Sequence, residues 1–175
     1  MGKVEVGYRW LARGGQVLDY SALHDDPSLA ELAKVLTDRE MRLDVMCTAG
    51  GGASWVVARD YSHPPVGKIV GMGMLVPLRK SVGFVGHADD IVVLESYRGK
   101  ELGIARNIMM RIEEEARRLS MKYVELTSKP DRVPANKLYL SCGYKLMADA
   151  VPESTIPGGS KISGTGGTNL YRLYL

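Results

Sequence analysis

The strongest pattern in the chain is a three- and four-residue recurrence of apolar positions: Leu102, Ala105, Ile108, Met109, Ile112, Ala116 and Leu119. At 3.6 residues per turn these positions form one stripe, which predicts a helix packed on a core by that face. Glu113 with Arg117, and Glu114 with Arg118, are i,i+4 pairs and read as a solvated face. A second helix is predicted over 27–41, with Leu29, Leu32, Ala33 and Leu36 at helical spacing and Pro27 at its start. A short third helix is predicted over 134–141, ended by Gly143. Strands are predicted at 4–10, 55–61, 68–78, 82–94, 122–127, 144–148 and 169–175, where β-branched and aromatic residues concentrate between turn signals. The stretches 48–54 and 152–168 are glycine-rich and read as loops, the second long and mobile.

The strand over 82–94, the strong helix and the strand over 122–127 make a βαβ unit, whose two strands should run parallel. The rest of the chain is dominated by strands. The expected fold class is therefore α/β in the mixed-sheet sense: a mostly antiparallel central sheet with one parallel βαβ pair, flanked by helices. At 175 residues the chain suits one domain (1–175), with an N-terminal half (1–81), a central unit (82–148) and the loop at 152–168.

Composition narrows the functional classes. The net charge of +3 is spread along the chain and does not argue for nucleic acid. No apolar run approaches the ~18 residues of a membrane span. The first residues, Met1-Gly2-Lys3-Val4-Glu5-Val6, lack a secretory apolar stretch, and Cys47 and Cys142 read as reduced thiols. A cytoplasmic location is expected. His24, His63 and His87 show no metal-ligand spacing with the cysteines, so no metal is expected.

The chemistry-bearing segment is Arg98-Gly99-Lys100-Glu101-Leu102-Gly103-Ile104, between a strand and the strong helix. A helix start offers unpaired N–H groups and partial positive charge. A glycine-bearing turn in front of it can aim further N–H groups into one concavity. Arg98 and Lys100 add charge, so the segment suits a diphosphate. It lacks the Gly-Lys-Ser/Thr of a nucleotide P-loop and the three glycines of a dinucleotide fingerprint. On its own it is equally compatible with a plain strand-to-helix turn.

Arg98 and Gly103 fit the Arg/Gln-x-x-Gly-x-Gly/Ala signature of the GNAT acetyltransferase superfamily, which this chain resembles from about residue 86 to its end. Glu101 stands where the signature has its first glycine. A second match is Ala135-Asn136-Lys137-Leu138-Tyr139-Leu140-Ser141-Cys142-Gly143-Tyr144, which is similar to the family's late helix. The resemblance implies acetyl-CoA as cofactor, held by Arg98, Gly99, Lys100, Glu101, Leu102, Gly103, Ile104, Asn136 and Tyr139. It implies a splayed parallel strand pair opened by a β-bulge, with backbone groups of Ile91, Val92 and Val93 facing pantetheine. It also implies an amine acceptor, small molecule or peptide, and leaves a homodimer open. Glu101 is expected to face outward in a conformation that does not need φ > 0. The alternative is a non-catalytic acyl-CoA-binding or regulatory module.

Acetyl transfer to an amine needs a base, an oxyanion donor and an acid. In a regular strand His87, Asp89, Ile91 and Val93 share one face, with Asp90 and Val92 on the other, so Asp89 and Asp90 are not expected to act as a pair. Asp titrates ~6.5 units below a lysine-like amine while His sits near ~6.5, which favours His87 as base with Asp89 orienting it or a water. A backbone N–H near Val92 or Val93 would meet the oxyanion. Tyr139 is the candidate acid for the thiolate. With a thiol near ~8.5 and Tyr near ~10, proton transfer is uphill by only ~2 kcal/mol, which predicts a contribution of ~10²-fold.

Overall fold

The computed structural model describes residues 4–13, 16–17, 27–36, 52–62, 67–99, 101–151 and 167–175. Among these, eight strands join in one sheet: β1 (Val6–Arg13), β2 (Gln16–Val17), β3 (Ser54–Asp60), β4 (Lys68–Lys80), β5 (Gly83–Val93), β6 (Tyr123–Ser128), β7 (Lys145–Val151) and β8 (Thr168–Tyr174). Three α-helices accompany them: α1 (Pro27–Leu36), α2 (Ile104–Arg118) and α3 (Val133–Ser141). The strand order is β2-β1-β3-β4-β5-β6-β8-β7. Every pairing is antiparallel except β5 with β6. The mixed sheet with one parallel βαβ pair is thus the one the hydrophobic pattern predicts. Residues 37–41 of the first predicted helix, most of the two glycine-rich stretches, and Cys47, His24 and His63 lie outside the described residues.

The apolar stripe of α2 packs as its spacing requires. Ile108, Met109, Ile112 and Ala116 are fully buried, each large side chain contributing ~2 kcal/mol. The helix lies close because β4 presents glycine beneath it. A Cβ on Gly73 would stand 2.6 Å from Ile108 Cγ2. This close seat fixes where the start of α2 falls relative to the end of β5.

The charged face of α2 differs from expectation. Glu115, read as neither core nor pair, has a fully buried side chain. It accepts hydrogen bonds from Arg13 Nε (2.7 Å), Arg118 Nε (2.8 Å) and Nη2 (2.7 Å), and Ser54 Oγ (3.2 Å). Arg118 therefore pairs with Glu115 rather than Glu114, and Glu114 faces Arg111. Glu113 is also buried. The helix ends beneath β1 and β3, whose Arg13 and Ser54 supply the partners that make a carboxylate tenable there. Burial alone would raise Glu115, but the hydrogen bonds from Arg118 and Arg13 outweigh it and hold the carboxyl below its ordinary value.

Candidate active site

The parallel pair opens as it runs. β5 and β6 meet only at Gly86–Val124 and His87–Glu125, while β6 pairs with β8 along its whole length. The tail of β5, from Ala88 to Val93, thus leaves β6 and exposes a ladder edge inside the sheet. A bulge sits in the same stretch: Met72 pairs with Val92 but Met74 with Asp89, so β5 carries one extra residue. Asp90 within it has φ of 49°. The left-handed region is one that Asp tolerates better than most side chains.

The bulge overturns the face assignment expected of a regular strand. Register places His87, Asp89 and Val92 on the face of Val76, Met74 and Met72. Ile91 and Val93 fall on the opposite face, toward α2, where Ile91 approaches Gly73. Met72–Val92 is the hydrogen-bonded pair and Gly71–Val93 the open one, because Leu94 N–H donates to Val70 O at 2.9 Å. The backbone groups of Val92 are therefore spent on β4. Those of Val93 face the splay, and Arg98 Nε already donates to its carbonyl at 2.8 Å. Of the N–H groups expected to meet an oxyanion, the one at Val93 is oriented for it.

Beyond β5, Glu95–Tyr97 forms a single 3₁₀ turn, and the phosphate segment follows. Gly99, Glu101 and Gly103 have φ of 66°, 53° and 58°. Left-handed residues recurring through a turn can aim its N–H groups into one concavity, a geometry that suits an anion. Gly103 caps α2 with no side-chain hydrogen bond, and no acidic residue occupies the first turn. The opening amides of α2 thus have no side-chain acceptor and no competing carboxylate on their own turn. Arg98, Gly99, Glu101 and Gly103 are exposed, Leu102 packs partly on the core, and Ile104 is buried. Lys100 lies outside the described residues. Glu101 corrects an expectation: it does take φ > 0, at ~1–2 kcal/mol for a residue with a Cβ. The sequence has a glutamate where the backbone conformation favours glycine.

Tyr139 projects from α3 into the core, 7% exposed, with ring centroids 5.6 Å from Tyr171 and 6.4 Å from Tyr144. Burial, chiefly, pushes its hydroxyl up to about 12, and the Asp89 carboxylate across the splay adds to the rise. The margin against transfer to a thiolate is then ~5 kcal/mol rather than ~2 kcal/mol. Tyr139 is better suited to donate a hydrogen bond than to give up its proton. Asn136 spends its Nδ2 on the carbonyls of Lys129 (3.0 Å) and Pro130 (3.2 Å), closing the turn into α3. Its Oδ1 is buried without a partner.

The residue that the pattern of the strand hid is Asp90. Burial first, and the Asp89 charge second, push its carboxyl up from 3.8 to about 6. Asp89 is exposed and accepts from the Asp90 amide at 2.9 Å, not from His87. The two neighbours, separated on paper by strand alternation, are coupled through the bulge. His87 lies back in the paired part of β5, beside Glu125. Among the described residues no group of side chains could hold a metal ion, and no helix is long and apolar enough to cross a membrane.

A central sheet with a splayed parallel pair, a bulge beside the gap and an anion-binding turn at a helix start together define an acyl-CoA-type transferase scaffold. The chain matches the model of the acetyltransferase (GNAT) family over residues 19–144, and it belongs to that family. Solved structures agree on the fold. Arabidopsis thaliana NAA60, in complex with a bisubstrate analogue, superposes with a TM-score of 0.72 at 15% identity, covering 98% of this chain and 99% of that one. The yncA acetyltransferase of Salmonella typhimurium, with acetyl-CoA, gives 0.67 at 16% identity over 99% and 95%. A Trypanosoma brucei acetyltransferase gives 0.63 at 27% identity over 83% and 96%. No curated protein matches by sequence.

Proposed function

We propose that the chain transfers the acetyl group of acetyl-CoA to a primary amine by direct attack within a ternary complex. The observation that carries this reading is the start of α2, free of any side-chain cap, behind the left-handed residues Gly99, Glu101 and Gly103 and beside the open edge of β5. Its amides fit a diphosphate, and the structures with acetyl-CoA and with a bisubstrate analogue share the fold. Acetyl-CoA supplies an activated thioester; the chain's own groups supply the rest.

The backbone turn and Arg98 hold the diphosphate. Val93 N–H, facing the splay, is the donor available to a carbonyl oxygen. The coupled pair Asp89–Asp90 accepts the proton of the incoming ammonium. A carboxyl at about 6 is a better base than an ordinary Asp by ~2 units; Asp90 is that carboxyl, with the neighbouring Asp89 charge adding to the effect of burial. His87 shares a sheet face with Asp89 and lies on the acceptor's approach. Tyr139 hydrogen-bonds the leaving sulfur. Direct attack is favoured over a covalent acyl-enzyme because Cys142 is partly buried, and burial holds its thiol above its ordinary value.

The test is acetyl-CoA turnover across an amine panel of peptides, polyamines, amino sugars and aminoglycosides, with CoA binding measured by calorimetry. Binding with turnover of at least one amine is the expected result. Binding without turnover on any of them supports the acyl-CoA-binding module instead.

A further inference from the structure

The phosphate turn has little of its own to hold it in place. The 3₁₀ turn Glu95–Tyr97 that leads into it contains no buried residue. A Cβ on Gly99 would meet nothing within 4 Å. The turn nevertheless keeps three left-handed residues, one of them Glu101, a conformation that persists only where the surroundings impose it. Two side-chain tethers sit at its entrance. Arg98 Nε donates to Val93 O, as described above. Tyr97 donates its hydroxyl to Asp60 Oδ2 at 2.7 Å, across 37 residues of sequence.

Asp60 is an unusual anchor. It ends β3 and is fully buried. Its Oδ1 accepts from Ser62 N (2.9 Å) and Ser62 Oγ (2.6 Å), which leaves Oδ2 directed at Tyr97. A hydrogen bond to an ionised acceptor is about twice as strong as a neutral one, and a buried carboxylate has little freedom to turn away. Burial, and then the bond to Asp60, push the Tyr97 hydroxyl up to about 12. The tether therefore stays formed through neutral and mildly basic pH.

We propose that Asp60 is a positioning residue for cofactor binding, acting through Tyr97 to fix the entrance of the phosphate turn. The described link from Asp60 to the turn runs through the Tyr97 hydroxyl. It ties the turn to β3, which lies between β1 and β4 on the N-terminal side of the sheet. The strand end that receives α1 through the Lys68–Glu31 ion pair lies in the same corner, since Lys68 pairs with Asp60. The inference rests on the reading that the turn binds the diphosphate of CoA.

The test is calorimetric titration of CoA into the wild type, Tyr97→Phe and Ser62→Ala. Tyr97→Phe keeps the ring, which packs against the core, and removes the hydroxyl that makes the tether. Its Kd for CoA is expected to rise about tenfold. Ser62→Ala removes a bond to the same carboxylate but not the one leading to the turn, so its Kd is expected to stay within about twofold of the wild type. Hydrogen exchange at the Gly99 and Glu101 amides is expected to quicken in Tyr97→Phe alone. An unchanged Kd and unchanged exchange in Tyr97→Phe overturn the proposal, as do equal losses in both variants, which would make Asp60 merely structural. Wild-type protein that binds no CoA sinks the underlying reading instead, and is told apart by that control.

Discussion

Replacing Asp90 by Asn removes its charge while keeping its shape and its backbone, since Asn adopts the left-handed region as readily as Asp. The rise of its carboxyl from 3.8 to about 6 corresponds to ~3 kcal/mol at ~1.4 kcal/mol per pH unit. The group keeps some contact with solvent, and screening trims this to ~1–2 kcal/mol. The sign follows from the direction. Below pH 3.8 the carboxyl is neutral in both folded and unfolded chains, and Asp90 carries no penalty. As pH rises through about 6, the unfolded chain has already ionised and the fold must hold a disfavoured charge. Asp90→Asn should therefore match the wild type near pH 4 and exceed it by ~1–2 kcal/mol at pH 7 and above. Urea denaturation from pH 4 to 8 measures this. The same substitution should cut kcat/KM by ~10²-fold and remove the acidic limb of its pH profile near 6. A stability difference that does not change with pH would refute the argument from burial. A wild-type activity profile in the variant would refute the assignment of the base.

Other consequences can be measured on the same protein. Glu101→Gly releases the left-handed strain and should raise stability by ~1 kcal/mol, with CoA binding a few-fold tighter, read by melting temperature and calorimetry. Glu115→Ala removes a fully buried carboxylate that joins β1, β3 and α2. A loss of ~3 kcal/mol is expected, the low end for a broken buried pair because both arginines reach the surface. Its lowered folded value means that the charge-dependent part of the Glu115 contribution is complete above the ordinary 4.5 and is lost as pH falls through the lowered folded value, so the gap between wild type and Glu115→Ala in denaturation curves should narrow as the solution is acidified. Gly73→Ala drives a methyl into Ile108 and should cost ~1–3 kcal/mol while weakening CoA binding, because α2 is lifted from its seat. Tyr139→Phe should lower kcat by ~10–100-fold, the worth of one hydrogen bond to charge, with no inflection in the wild-type profile below pH 11.

How much of this was legible in the sequence depends on the range of the interaction. The α2 stripe and the βαβ order could be read from short-range patterns, and the structure reproduces both; the segment from Arg98 to Ile104 was legible as a glycine-bearing turn before a helix. The bulge is not local. It exists only in the register of β5 against β4, and nothing in Gly86-His87-Ala88-Asp89-Asp90-Ile91-Val92-Val93 distinguishes it from a regular strand. That single extra residue moved Ile91 and Val93 across the sheet and coupled Asp89 to Asp90. Glu115 was hidden for the same reason. Arg118 is close in sequence, but the partners that bury the carboxylate, Arg13 and Ser54, lie 102 and 61 residues away, so a run of charges at helical spacing read as a solvated face. The unusual Glu101 was visible as a departure, but the backbone angle that makes it strained was not.

The account depends on amide hydrogens of one turn receiving the cofactor's diphosphate, and those hydrogens can be observed directly. Titrating CoA into ¹⁵N-labelled protein should move the amide protons of Gly99, Glu101, Gly103, Ile104 and Ala105 downfield in proportion to occupancy, and further than those at the α3 end of the site. Saturating CoA that leaves these resonances in place, while shifting others, would contradict it.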